Sequence, residues 1–174
     1  MLKTSLRLPL AAALLAIFAL PAMSKEYLKP NVDCDGCSAN VRAQPTSKSR
    51  VVEQLTSESA VDKLEIISKK GDWYHIRLGS DANDTLGYIH KSQVYRVQTY
   101  VVESSDGSAN LREAHFANGK LSKKRPSTKD NAVIDVMPNG TELLIRVDYN
   151  RGDWLFVDDP AAGFVHKSQV RKEK

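Results

Sequence analysis

Cys34-Asp35-Gly36-Cys37 is the sharpest local concentration of reactive side chains, and it holds both cysteines of the 174-residue sequence. Two thiols so close together can form a disulfide, a redox pair or half of a metal site. A redox pair needs a thiolate favoured by a helix N-terminus or a basic neighbour. Here Asp33 and Asp35 add negative charge instead. A metal site needs two further soft ligands, and there is no second cysteine pair to supply them. A small structural disulfide between Cys34 and Cys37 is therefore expected in an oxidising compartment, worth about 2 kcal/mol through chain entropy. No metal and no other cofactor is implied.

His90 and His166 both precede Lys-Ser-Gln. They suit a ligand contact or a pH-sensitive group, or simply a polar residue that starts a turn. His75 and His115 are isolated. No Ser–His–Asp ordering and no His-x-x-x-His spacing is present, so hydrolase and zinc-enzyme chemistry lack support and a non-enzymatic protein is expected. The aromatic couples Trp73 with Tyr88 and Trp154 with Phe164 are the candidate ligand-binding residues, together with the two histidines. Aromatics with a wet edge suit sugar faces and peptide side chains. They can equally cover the end of a small barrel. Lys120, Lys123, Lys124, Arg125 and Lys129 cluster in one stretch and are the candidate contact with an acidic partner. Beyond Leu121 this stretch lacks apolar residues up to Asp130, so a mobile loop is expected.

The elements that must position these residues occur twice. Ser38-Ala39-Asn40-Val41-Arg42 returns as Ser108-Ala109-Asn110-Leu111-Arg112, and Gly71-Asp72-Trp73 returns as Gly152-Asp153-Trp154. Gly87-Tyr88-Ile89-His90-Lys91-Ser92-Gln93-Val94 returns as Gly163-Phe164-Val165-His166-Lys167-Ser168-Gln169-Val170. Blocks that persist in order while their separations drift are what two diverged copies of one small domain leave behind. Each copy reads as short β-rich runs between turn-prone stretches. In the first they are 51–55, 60–67, 73–78 and 86–90; in the second, 132–137, 141–147, 154–157 and 163–166. Alternation puts Tyr74, Ile76 and Leu78 on one face, and Trp73, His75 and Arg77 on the other. Leu155 and Val157 repeat the inner row; Trp154, Phe156 and Asp158 lie opposite. The stretch from Tyr95 to Gly107 is too apolar for a flexible tether and should pack as a strand.

Composition fits an ordinary globular protein, with 41% hydrophobic and 26% charged residues. The formal charge of +4 rests on 25 Lys+Arg against 21 Asp+Glu, too small an excess for a dedicated nucleic-acid binder. Lys3 and Arg7, an apolar run from Leu8 to Leu20, Pro21 and the small residues before Lys25 have the layout of a secretory signal peptide over 1–24. The run is too short to span a bilayer. The mature chain is expected to be exported, periplasmic and without a membrane span.

The ordered blocks resemble bacterial SH3-like (SH3b) domains. Asn40-Val41-Arg42, Gly71, Trp73, Ile76, Gly87-Tyr88-Ile89 and Val94 carry the resemblance in the first copy. Asn110-Leu111-Arg112, Gly152, Trp154, Val157, Gly163-Phe164-Val165 and Val170 carry it in the second. The resemblance implies an all-β protein of two tandem small SH3-like barrels, the first over 25–96 with the Cys-x-x-Cys extension. The second, over 97–174, departs by its long basic loop at 113–131. The resemblance also implies binding rather than catalysis, of a peptidoglycan stem peptide or an envelope protein. The alternative is a periplasmic immunity or inhibitor protein that neutralises a secreted toxin or wall hydrolase.

Overall fold

The computed structural model describes residues 26–32, 34, 36–59, 63–79 and 85–173. The expected signal peptide at 1–24 lies outside the described residues, as does the start of the run expected at 60–67. Among the described residues there are strands and short 3-10 turns but no α-helix, so none is long and apolar enough to cross a membrane.

The first half contains β1 (Glu26–Pro30), β2 (Ala39–Arg42), β3 (Val51–Leu55), β4 (Leu64–Lys70), β5 (Trp73–Leu78) and β6 (Thr85–His90). A 3-10 turn at Lys91–Gln93 leads into β7 (Val94–Val102). The second half contains β8 (Ser108–Arg112), the short hairpin β9 (Phe116–Ala117) and β10 (Lys120–Leu121), β11 (Val133–Pro138) and β12 (Glu142–Arg146). It ends with β13 (Trp154–Asp159), β14 (Gly163–His166), a 3-10 turn at Lys167–Gln169 and β15 (Val170–Lys172). Trp73–Leu78 and Gly163–His166 form as the alternation expects. β4 starts later than expected, at Leu64, and reaches Lys70, because Ile66 pairs with Ile76 and a bulge carries the ladder on to Trp73 opposite Lys70.

One neighbour order occurs in each half. In the first it runs β3-β2-β6-β5-β4-β1, and in the second β11-β8-β14-β13-β12-β7. β7 belongs to both. Its first part pairs with β1 from Val94 to Gln98, closing the first half. Its later part pairs with β12 over Val97 to Val101 and with β15 over Tyr100 to Val102, opening the second. The boundary expected between residues 96 and 97 therefore falls inside a continuous strand.

The sheet is continuous but its apolar interior is not. Leu28, Val41, Leu55, Leu64, Ile76 and Ile89 form one core. Leu111, Met137, Leu143, Ile145, Val157 and Val165 form another. Ile66 opposite Ile76 has its counterpart in Ile145 opposite Val157. Each core is small, as a domain of this length dictates, and the shared strand supplies a side to both.

Side chains also clamp the two halves together. The Asp158 carboxylate accepts from Lys29 Nζ at 2.7 Å and from the Tyr95 hydroxyl at 3.1 Å. The Arg146 guanidinium lies between the rings of Tyr95 and Tyr149, 3.7 and 4.0 Å from their centroids. Arg96 donates to Asp148 at 2.9 Å, a bond that raises its pKa above the ordinary arginine value. An ion pair as screened from water as Lys29–Asp158 fixes geometry more surely than it adds net stability.

Candidate functional site

The repeated words of the sequence meet in space. Gly71, at φ 59°, turns the chain from β4 into β5, and Gly152, at φ 64°, repeats the turn before β13. The next residue is an aspartate. Asp72 accepts the Lys91 backbone N–H through its carbonyl at 2.9 Å, and its carboxylate holds Lys91 Nζ at 2.9 Å. Asp153 does the same to Lys167, at 2.8 and 2.6 Å. The tryptophan that follows stands opposite the histidine of the next strand. Trp73 and His90 meet edge-on with centroids 5.0 Å apart, and Trp154 and His166 do so at 5.2 Å. Each histidine caps its 3-10 turn: Nδ1 accepts the N–H of Ser92 or Ser168 at 3.4 Å and meets that serine's hydroxyl at 2.8 Å.

Because a backbone N–H can only donate, Nδ1 is the acceptor and the neutral ring carries its proton on Nε2. The turn-starting role and the ligand-facing role weighed for these histidines are thus compatible. One ring nitrogen serves the fold while the other is left as a donor.

Each tryptophan–histidine pair is part of the lining of an open groove of about 560 Å³. Arg42, Trp73, His90, Ser92 and Gln93 line the first, with Pro45, Thr46 and Ser47 along one side. Arg112, Trp154, His166, Ser168 and Gln169 line the second, where Pro126, Ser127 and Thr128 take that side. Arg42 Nη1 donates to the Ser49 carbonyl at 2.6 Å, and Arg112 Nη1 to the Asn131 carbonyl at 2.9 Å. The arginines, serines and glutamines were not singled out from sequence. They sit inside the repeated blocks, which was the signal that could have found them.

Two expected binding residues lie elsewhere. Tyr88 is not in the first groove; it stacks on His75, centroids 4.7 Å apart and planes 19° from parallel. Phe164, its equivalent, is only 2% exposed. It packs edge-on against Phe156 at 5.4 Å. The cause is the long loop. Leu121 folds down onto Trp154, Phe156 and Phe164 to make a third apolar cluster, with no counterpart among the described residues of the first half. Trp154 is consequently 7% exposed, whereas Trp73 is half-buried.

The loop itself is folded rather than loose. The β9–β10 hairpin, the buried Pro126 and Asn131, whose side chain bonds to Glu113 and Ser127, hold it down. Of its five cations, Arg125 pairs with Asp153 at 2.9 Å and Lys124 with Asp130 at 3.2 Å. Lys120, Lys123 and Lys129 remain exposed.

Cys34 and Cys37 are joined as a disulfide between β1 and β2, their Cα atoms 5.2 Å apart. Among the described residues, no group of three or more His, Cys, Asp or Glu is placed to hold a metal.

The Lys91 ammonium, bonded to Asp72, holds that carboxyl below its ordinary value, and Lys167 does the same to Asp153. A depressed carboxylate stabilises the fold above its unfolded pKa, about 3.9 for aspartate, and loses that contribution as pH falls through the lower folded value. Both carboxylates stay open to water, so the effect is small. The Asp72→Asn and Asp153→Asn variants should melt slightly below the parent at neutral pH. The difference should shrink below about pH 4 and vanish in stronger acid, which thermal melts across that range will check.

Two solved structures are similar over most of the chain. NlpC2 from Trichomonas vaginalis is 15% identical with a TM-score of 0.34, over 86% of this chain and 48% of its own. NlpC1 from the same organism is 14% identical with a TM-score of 0.34, over 89% and 49%. The chain thus spans about half the length of these proteins. No curated protein sequence matches significantly. Residues 38–95, which carry Arg42, Trp73 and His90 of the first groove, match the bacterial SH3 domain family.

Proposed function

We propose that this protein is an exported, non-enzymatic binding protein of the cell envelope, made of two tandem SH3-like modules. Each of its equivalent grooves holds a peptidoglycan stem peptide or a peptide of an envelope protein. The observation that carries this reading is the recurrence of one lining. Arginine, tryptophan, histidine, serine and glutamine stand at corresponding positions of both grooves, although the loops around them differ. A scaffold alone needs the glycines and apolar residues repeated; it does not need an arginine and a glutamine beside an open trough. The bacterial SH3 match over 38–95 and the disulfide support a place outside the cytoplasm.

Such a groove binds by the aromatic and polar side chains of its lining, and two of them on one rigid frame gain avidity when a ligand reaches both. Purified protein should co-sediment with isolated sacculi. Trp73→Ala should lower retention about tenfold, corresponding to roughly 1.4 kcal/mol lost from one groove. Absence of co-sedimentation, together with a stoichiometric complex with a secreted toxin or hydrolase, would replace this reading with the inhibitor one. That contact would run through the exposed Lys120, Lys123 and Lys129.

A further inference from the structure

The grooves are rich in donors. Nine other Lys and Arg side chains, including Lys29, Arg77, Lys91 and Arg171, have an Asp or Glu within ion-pair distance. Among the described residues Arg42 and Arg112 have none; Arg50, Arg146 and Arg151 share that lack, but of these only Arg42 and Arg112 line the two grooves. Among the described residues, each is anchored only by backbone carbonyls, which leaves its remaining N–H groups and its whole charge without a counter-ion. Among the described residues, no acidic side chain lines the first groove. Its histidine presents Nε2–H, because Nδ1 is occupied by Ser92. A tryptophan indole N–H and a glutamine amide stand in the same lining. The described lining of the first groove thus lacks an acceptor of full negative charge, and its arginine, tryptophan, histidine and glutamine recur at equivalent positions in the second.

We infer that each groove takes a peptide that carries a free carboxylate, with Arg42 or Arg112 as its counter-ion and, in the first groove, the half-buried Trp73 against the apolar stem. This deepens the proposed function and rests on its assignment of the grooves as peptide sites. The first groove is the stronger carboxylate site. In the second, Asp106 lies in the lining and offsets Arg112, while Arg125 is already paired with Asp153. A planar guanidinium suits a carboxylate because two parallel N–H groups meet two oxygens. A hydrogen bond to a charged group outweighs one to a neutral amide enough to give about a tenfold preference.

The test uses the full chain and diacetyl-L-lysyl-D-alanyl-D-alanine, once as the free acid and once as the C-terminal amide, titrated by calorimetry at low and high salt. Sacculus co-sedimentation runs alongside. The acid should bind about tenfold more tightly than the amide, and the preference should fall with salt. Arg42→Gln should remove most of the preference, and Arg42→Lys should retain part of it. Because acid and amide are compared on the same native protein, a variant that fails to fold does not decide the matter. Equal binding of the two peptides overturns this inference and leaves the peptide-site reading intact. So does binding of neither when sacculi still retain the protein. Loss of sacculus retention as well removes both.

Discussion

Trp154→Ala should destabilise the protein by about 3–5 kcal/mol, the cost of emptying a large aromatic site in a packed interior. Trp73→Ala, at the equivalent position, should cost only about 1–2 kcal/mol, because its ring is half-buried and loses less area from contact. The asymmetry comes from the long loop. Leu121 roofs Trp154, Phe156 and Phe164, whereas no described residue makes such a cluster over Trp73. Urea titrations of both variants, read by near-UV and far-UV signals together, will measure the difference. Equal losses would mean that the loop does not pack on this face in solution. The same contrast assigns work to the two halves. The first leaves its tryptophan half-buried beside the groove, while the second buries most of its aromatic surface in its own fold.

Gly163→Ala should rank with the Trp154 substitution. A Cβ at Gly163 would stand 2.7 Å from the Arg112 carbonyl oxygen and 2.9 Å from Leu111 Cδ1. The carbonyl belongs to a backbone held in the sheet and the leucine is fully buried, so neither can yield. At Gly87 the nearest obstacles are Val41 Cγ1 at 2.5 Å and the Arg42 carbonyl oxygen at 3.0 Å. Overpacking in a filled interior costs about 1–3 kcal/mol, with both substitutions at the upper end or beyond, since Val41 is as fully buried as Leu111. Glycine in a strand interior marks such a close approach. The strands forced apart are those that carry the groove arginines, so each substitution should also weaken ligand retention by its own half. Chemical denaturation and sacculus co-sedimentation, run on both variants, check the two effects separately. A Gly163→Ala protein as stable as the parent would contradict the close packing of β14 on β8.

Much of this architecture could be read from sequence because it is local. Side chains alternate every second residue along a strand, so the inner row through Ile76 and Leu78 and its counterpart at Leu155 and Val157 follow from spacing alone. Turn glycines, the short disulfide loop and the strand character of Tyr95 onward are likewise local. Repetition told which residues to watch, yet not which of them touch. The sequence offers Trp73 and Tyr88 as one aromatic couple. The register places His90 directly opposite the tryptophan and His75 opposite Tyr88. Arg42 and Arg112 were legible only as members of a repeated block, since an arginine's partner lies across the fold and not along the chain.

The sequence by itself determined the all-β class, the duplicated order of strands and the cysteine pairing, because periodicity, turn chemistry and short spacing act within a few residues of one another. Only the tertiary structure decided that one strand serves both halves, that a remote leucine roofs the second aromatic face, and that Arg42 and Arg112, one in the lining of each groove, have no carboxylate partner among the described residues. Those outcomes depend on which distant segments compete for the same surface, and burial of a side chain is a property of everything packed around it.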